Sequence, residues 1–117
     1  MLVKECYKSF SDSVNFIDKN DNFVGFDMNS QCCEQYGWFF AREIFNVDDI
    51  QSEDEMTEEQ LKGYFFDTTF VDTSDSDCVV FKIINEHGSV AFLHLFNDHN
   101  GYYSHGWESS FNGKGYI

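Results

Sequence analysis

The sequence predicts a β-rich α+β fold in a single domain, residues 1–117: an antiparallel sheet with a C-terminal three-strand meander and one or two short helices. First, the chain has 117 residues, 42% of them apolar, which suffices for one core but not for two. Second, β-branched and aromatic residues occur in short runs separated by Gly, Asn and Asp, as in strands joined by turns. Third, only two Ala and four Leu are present, which disfavours a helical bundle.

The N-terminal half contains a predicted hairpin, an aromatic strand and a short helix. Apolar residues 14–17 and 23–26 flank the turn-forming residues 19–22, a pattern typical of a hairpin. Residues 32–40 are rich in aromatic side chains and are predicted to form a strand. A helix is predicted to begin at Thr57, where Gln60 would complete a capping box, and to end at Gly63.

The C-terminal half contains the predicted meander. Its strands are expected at residues 78–84, 89–96 and 102–107, with the last turn at Asn100 and Gly101. The middle strand has no clearly polar face, so we expect it to be central and covered on both sides. Residues 72–77 are predicted to form a polar loop, and residues 112–117 a loose tail.

Negative charge limits the classes of partner. The net charge is −14, and twelve of the 21 acidic residues lie between Glu43 and Asp77, a stretch with one basic residue, Lys62. Such a surface repels nucleic acid and anionic membranes and attracts basic proteins. The sequence therefore predicts a basic protein partner, with no direct contact to nucleic acid or membrane.

The cysteines and the apolar runs indicate the compartment. The N-terminus has no apolar run of signal-peptide length, and no apolar segment reaches 18 residues. We therefore expect a cytoplasmic protein in which Cys6, Cys32, Cys33 and Cys78 are thiols.

Two motifs carry a family resemblance. Cys32, Cys33 and Glu34 form a Cys-Cys-Glu element, and a second motif follows much later in the chain. This second motif is Asn100, Gly101, Tyr102, Tyr103 and Ser104. Together they resemble a small domain-of-unknown-function family of bacteria and phages, over roughly residues 30–108. The chain departs from that family after Glu34, where the family usually has a Val/Ile-rich strand. The resemblance implies a β-rich α+β fold and no particular activity.

Residues that could carry chemistry lack the spacing that most sites require. The histidines do not show the close Cys/His spacing of zinc sites, so no metal is predicted, and no nucleotide-binding loop or other cofactor motif is present. The Asp-rich segments 18–22 and 72–77 lack the twelve-residue calcium-loop pattern. His94 lies within an apolar strand and is expected to be a hydrogen-bonded core residue. An enzyme or metal-dependent module using Cys32, Cys33, Glu34 and His94 remains an alternative.

An acidic stretch is the candidate partner-binding site, because residues 48–59 hold seven acids and no basic residue. The seven acids are Asp48, Asp49, Glu53, Asp54, Glu55, Glu58 and Glu59. If this stretch were mostly helical, its charge spacing would approach that of duplex DNA, as in a nucleic-acid mimic. Five aromatic residues are candidate anchors for a partner beside this acidic stretch: Tyr36, Trp38, Tyr102, Tyr103 and Trp107.

We interpret the chain as a small non-enzymatic inhibitor that blocks a basic nucleic-acid-handling protein, such as a nuclease toxin or nuclease complex. Toxin immunity and phage counter-defence both fit this interpretation. A structural or scaffold accessory protein is a further alternative, in which open sheet edges would allow a homodimer.

Overall fold

A computed structural model of the chain describes residues 1–5, 12–29, 35–98 and 104–117. Within these ranges, strands dominate and the regular helical structure is one 3₁₀ helix, Ser52–Asp54. In chain order the strands are β1 (Leu2–Glu5), β2 (Ser13–Ile17), β3 (Phe23–Asp27), β4 (Gln35–Ala41), β5 (Phe65–Asp75), β6 (Cys78–Ile84), β7 (Val90–Asp98), β8 (Gly106–Ser109) and β9 (Lys114–Tyr116). The β-rich part of the prediction is confirmed.

The strands form two antiparallel sheets that share one apolar core. The first has the order β1-β2-β3-β8-β9 and the second the order β4-β7-β6-β5. Aromatic rings join the sheets: Phe16 of β2 meets Phe40 of β4 edge-on at 5.5 Å between centroids, and Phe81 of β6 meets Trp107 of β8 in the same way at 5.5 Å. Edge-to-face packing of this kind adds to the stabilisation from apolar burial.

The predicted hairpin is confirmed as β2 and β3, with Val14 opposite Phe26. Its turn is built around Asp18, whose side chain is only 5% exposed. One carboxylate oxygen of Asp18 accepts hydrogen bonds from the amides of Asn20 and Asn22, each at 2.9 Å. The other accepts from the amide of Phe66 in β5 at 2.9 Å. Asp18 is therefore a structural carboxylate that ties the turn to the second sheet.

Replacing Asp18 by Asn is expected to lower the free energy of unfolding by about 2 kcal/mol, because hydrogen bonds to a charged group are stronger than those to a neutral one. The asparagine side chain has a single acceptor oxygen, whereas the aspartate uses one oxygen for the turn amides and the other for the Phe66 amide. The NH₂ group of asparagine would therefore face one of these N–H donors. Urea denaturation measures the loss. The matched control is Asp21→Asn, an exposed change in the same turn. Equal stability of the two variants would contradict this role.

The meander is made of different strands from those predicted. The second sheet contains the sequential meander β5-β6-β7, whereas β8 joins the first sheet, where Trp107 lies opposite Phe26. The prediction that residues 102–107 pair with residues 89–96 is therefore wrong for the described residues 104–107, whereas residues 102 and 103 lie outside the described ranges. A strand has two hydrogen-bonding edges, and those of β7 are occupied by β4 and β6. The central position predicted for β7 is confirmed.

The predicted helix at Thr57 is replaced by consecutive turns over residues 58–63. Its capping bonds do form: the Thr57 amide donates to Gln60 Oε1 at 2.9 Å, and the Gln60 amide donates to Thr57 Oγ1 at 3.3 Å. Gly63, with φ +83°, ends the segment as predicted. A segment this short cannot recover the cost of helix nucleation, so the α-helical part of the fold prediction is wrong here. In the described part of the chain, no helix has the length and apolarity needed to cross a membrane.

Two segments predicted to be irregular are strands. Asp72 pairs with Val80 and Asp75 with Cys78, so most of residues 72–77 belongs to β5, with Ser76 and Asp77 as the turn. Acidic residues are suited to an edge strand, because charge there discourages pairing with another chain. The tail is also ordered: β9 pairs with β8, and Ile117, 7% exposed, exchanges two backbone hydrogen bonds with His105.

Candidate functional site

Residues 42–54 form a loop with joined ends, which we call the acidic loop. The chain leaves β4 at Ala41 and returns at Glu55, which forms an antiparallel bridge with Ala41. The next amide, that of Met56, donates to the carbonyl of Phe40 at 2.7 Å. Compact loops whose ends lie together often carry function.

Polar side chains within the acidic loop fix its local structure. The Asp48 amide donates to Asn46 Oδ1 at 3.0 Å, and the Asp49 amide donates to the Asn46 carbonyl at 2.9 Å, which closes a turn. A capping box between Gln51 and Asp54 then frames the 3₁₀ helix. These local bonds satisfy backbone donors without a regular helix, as short polar side chains commonly do. Residues 48–59 do not form a helix, so the predicted similarity between their charge spacing and that of duplex DNA is wrong.

His94 of β7 holds the acidic loop against the outer face of the second sheet. The Phe45 amide donates to His94 Nε2 at 3.1 Å, which places the ring proton on Nδ1. The ring is fully buried and stacks on Phe39 at 4.2 Å between centroids. Burial lowers the pKa of His94 to about 4, against the opposing influence of the main chain at Phe92 and Phe39. The prediction of a hydrogen-bonded core histidine is confirmed.

The seven predicted acids lie in the acidic loop and in the turns that follow it. Six are exposed and Asp54 is half-buried. Glu59 pairs with Lys62 at 3.0 Å, and Asp54 accepts the Gln51 amide at 3.1 Å. The other five side chains have no ion pair within the described ranges of the chain. These five are Asp48, Asp49, Glu53, Glu55 and Glu58. Carboxylates without an internal cation are available to a basic partner.

A second group of acids, which is not part of the predicted partner-binding site, adjoins the acidic loop. Two cavities, of about 230 and about 130 Å³, lie between the acidic loop and the β5–β6 hairpin. Both are lined by Phe45, Asn46, Asp75 and Cys78. Besides Asp48 of the acidic loop, the acids that line one or both are Asp72, Asp75, Asp77 and Asp98. The Asp-rich run at residues 72–77 was visible in the sequence, but its position depends on the pairing of β5 with β6.

The surroundings of this second group favour a charged Asp72 and a protonated Cys78. The hydroxyl and amide of Ser74 hold the pKa of Asp72 below its usual value, so Asp72 stays charged. Burial and then the charges of Asp75, Asp72 and Asp77 raise the pKa of the Cys78 thiol to about 12. Because the thiolate is the nucleophile, Cys78 is unreactive at neutral pH.

One exposed apolar side chain stands among these acids. Ile44 is 50% exposed and lines the larger cavity beside Asp72 and Asp75. The anchors predicted from the sequence were aromatic residues, and of these Trp107 is a core residue at 6% exposure. Tyr36 stacks on His105 at 4.2 Å, and Trp38 packs partly buried against the core. Phe45, Val47 and Ile50 lie in the same irregular loop, so no periodic signal in the sequence identified Ile44 as the exposed one.

Several predicted residues lie outside the described ranges. The two anchors Tyr102 and Tyr103 belong to this group, together with Cys32, Cys33, Glu34, Asn100 and Gly101. Ser104 is described and is exposed. Among the described residues, no group of three or more His, Cys, Asp and Glu side chains is arranged to hold a metal ion.

Comparison with known proteins gave no match: no family model, no curated protein and no solved structure corresponds to the chain. The resemblance to the small bacterial and phage family therefore stays a prediction.

Proposed function

We propose that this protein is a small acidic inhibitor that binds a basic nucleic-acid-handling protein in the cytoplasm and blocks it by occlusion. The partner would be a nuclease toxin or a nuclease complex, and the inhibitor an immunity protein or a phage counter-defence protein. The proposal includes no catalytic step and no cofactor.

The observation that carries this proposal is the arrangement of acids around Ile44. The acidic loop supplies one group of carboxylates and the β5–β6 hairpin supplies a second, across cavities that both groups line. Six of the seven predicted acids, all but Glu59, lack an internal cation within the described ranges. An exposed apolar residue surrounded by charge is the usual composition of a protein-binding surface, with an apolar centre and a polar rim.

Charge and apolar contact would contribute to different steps of binding. A net charge of −14 attracts a basic protein over a distance and raises the association rate, an effect that salt weakens. Once the proteins touch, contacts at buried anchors set the dissociation rate. We therefore expect fast, salt-sensitive association and a lifetime that depends on few residues.

Affinity purification from lysate of the native host tests the proposal. The bait is the full chain, and the matched bait carries lysine at Asp48, Asp49, Glu55 and Glu58. A basic nuclease or nucleic-acid-binding protein retained by the first bait at near-equal stoichiometry, and lost from the second, is the expected result. The purified partner should then lose its nuclease or binding activity at one equivalent of inhibitor. Retention without loss of activity would refute inhibition.

Replacing Ile44 by Ser is expected to weaken binding of the captured partner about tenfold, mainly through faster dissociation, because anchor residues typically contribute above ~1 kcal/mol. Folding stability should change little, since the side chain is already 50% exposed. Surface plasmon resonance gives both rates. The control is His87→Ser, since His87 is exposed in the β6–β7 turn, at the opposite end of β6 from Cys78. Equal losses in the two variants would remove Ile44 from the interface.

The described residues favour this proposal over the two alternatives. For the enzyme alternative, the accepting nitrogen of His94 is engaged by Phe45, and the ring is closed to solvent. For the scaffold alternative, the long edge strand β5 has register shifts and carries Asp72 and Asp75. Bulges and charge on an edge oppose strand pairing between two copies, so a homodimer through β5 is disfavoured.

A further inference from the structure

The groove between the acidic loop and the β5–β6 hairpin has a mixed lining. On its apolar side, Ile44 and Phe45 face Cys78 and Val80 across a cavity of about 230 Å³. Asp72 and Asp75 belong to the same lining. Pockets for small-molecule ligands usually span about 300–1,000 Å³, so this groove matches a single side chain better than a substrate.

The carboxylates at this groove each retain one oxygen for an outside donor. One oxygen of Asp72 accepts the amide of Ser74 at 2.9 Å and its hydroxyl at 2.6 Å. One oxygen of Asp75 accepts the Asp77 amide at 2.8 Å. The second oxygen of each has no hydrogen bond to any described residue. The internal bonds hold both groups in place, which reduces the entropy lost when a donor arrives.

We propose that this groove receives an arginine side chain of the basic partner, an inference that rests on the proposed function and names the chemistry of its central contact. The methylene stem packs on Ile44 and Val80, the guanidinium lies against the ring of Phe45, and its N–H groups donate to Asp72 and Asp75.

Arginine fits this lining better than lysine does for three physical reasons. A guanidinium is more weakly hydrated than an ammonium, so it loses less when it enters a partly apolar groove. Its planar fork donates to two acceptors at fixed angles, and two carboxylates are present here. Its flat face also stacks on aromatic rings, which Phe45 supplies. The neutral Cys78 thiol, with its pKa raised to about 12, adds uncharged surface to the lining.

Titration of the full ¹⁵N-labelled chain with blocked pentapeptides tests this inference. The probes are Gly-Gly-Arg-Gly-Gly and the same peptide with lysine or citrulline at the centre, followed by amide chemical shifts. We expect shifts confined to the groove, at Asn46, Ser74 and Cys78, and a Kd on the order of 1 mM, as a single-side-chain contact can give. The lysine peptide should bind about fivefold more weakly, and citrulline, which lacks the charge, should not saturate.

Variants of equal charge change locate the contact. Asp72→Asn and Asp75→Asn together should weaken the arginine peptide about tenfold. The control of equal charge change is Asp67→Asn with Asp21→Asn, because Asp67, on the same strand, faces Lys82 instead, at 3.8 Å, and Asp21 is exposed in the β2–β3 turn. The amide spectrum of each variant reports whether it is folded. If the double variant does not fold, Asp75→Asn alone, a change at an exposed residue, is compared with Asp67→Asn alone.

Equal affinity for the arginine and lysine peptides, shifts spread over the whole acidic surface, or no binding at all would each overturn the arginine groove. None of these results would contradict the proposed function, which the affinity purification tests separately. Conversely, arginine binding in the groove together with a failed purification would establish the arginine site but remove both the basic partner and the inhibitor proposal.

Discussion

Reversing Asp48, Asp49, Glu55 and Glu58 to lysine is expected to slow association with the basic partner by about 100-fold at low salt, since electrostatic steering accounts for 10- to 1,000-fold of a protein association rate. The four side chains are exposed and have no internal ion pair among the described residues. Their replacement should therefore leave the free energy of unfolding nearly unchanged. Stopped-flow association measured from 20 mM to 500 mM salt, with thermal unfolding alongside, provides the test.

A single-site comparison separates local from general charge effects. Glu58→Lys changes an exposed glutamate beside the acidic loop, and Glu86→Lys changes one in the β6–β7 turn. Among the described residues, Glu86 pairs with exposed Lys19, a contact of little value to stability. We expect Glu58→Lys to slow association several-fold more than Glu86→Lys. If both slow it equally, net charge alone attracts the partner and the acidic loop is not the interface.

The free energy of unfolding is expected to fall by roughly 3 kcal/mol through His94 as the pH drops from 6.5 to 4, because each pKa unit corresponds to ~1.4 kcal/mol. The unfolded chain takes up this proton near pH 6.5, whereas the folded protein does so only near pH 4. Between these values the unfolded state binds more protons, so acid favours unfolding. A proton on Nε2 would also face the Phe45 amide, donor against donor, and release the acidic loop.

Urea denaturation across this pH range measures the effect as a difference between variants. His94→Gln removes the titrating group, so its curve should be flatter than that of the native chain, while carboxylates titrate in both and cancel. His87→Gln is the control, since His87 is exposed in a turn. If the native and His94→Gln curves run parallel from pH 6.5 to 4, His94 does not titrate as described.

Local patterns in the sequence predicted the strands but not all of their partners. The β2–β3 hairpin and the β6–β7 pair follow from turn residues between short apolar runs, and both are present. The pairing partner of β8 could not be predicted from the local sequence. Whether β8 pairs with β7 or with β3 depends on whether β4 already occupies the free edge of β7. The capping box at Thr57 predicted the correct bonds and the wrong element, since capping is local and helix length is set by the position of Gly63.

The candidate site was predicted in part for the same reason. A dense run of acids within twelve residues of sequence is visible without a fold, and most of it is exposed as expected. The contribution of Asp72 and Asp75 depends on the pairing of β5 with β6 and on the bond from Phe45 to His94. No composition or periodicity reports such contacts between distant segments. Ile44 was missed because the sequence does not distinguish it from its apolar neighbours Phe45, Val47 and Ile50.

The pairing of β3 with β8 has a consequence for the order in which the protein folds. It joins Phe26 to Trp107, about 80 residues apart, and closing a loop of that length costs about 4 kcal/mol of chain entropy. The hairpins need much shorter closures, so β2–β3 and β5–β6–β7 can form early, whereas the C-terminal strands dock late. The carboxylates from β5 and the histidine that holds the acidic loop belong to the early-forming meander. The proposed binding surface would therefore take shape before the C-terminal strands complete the core.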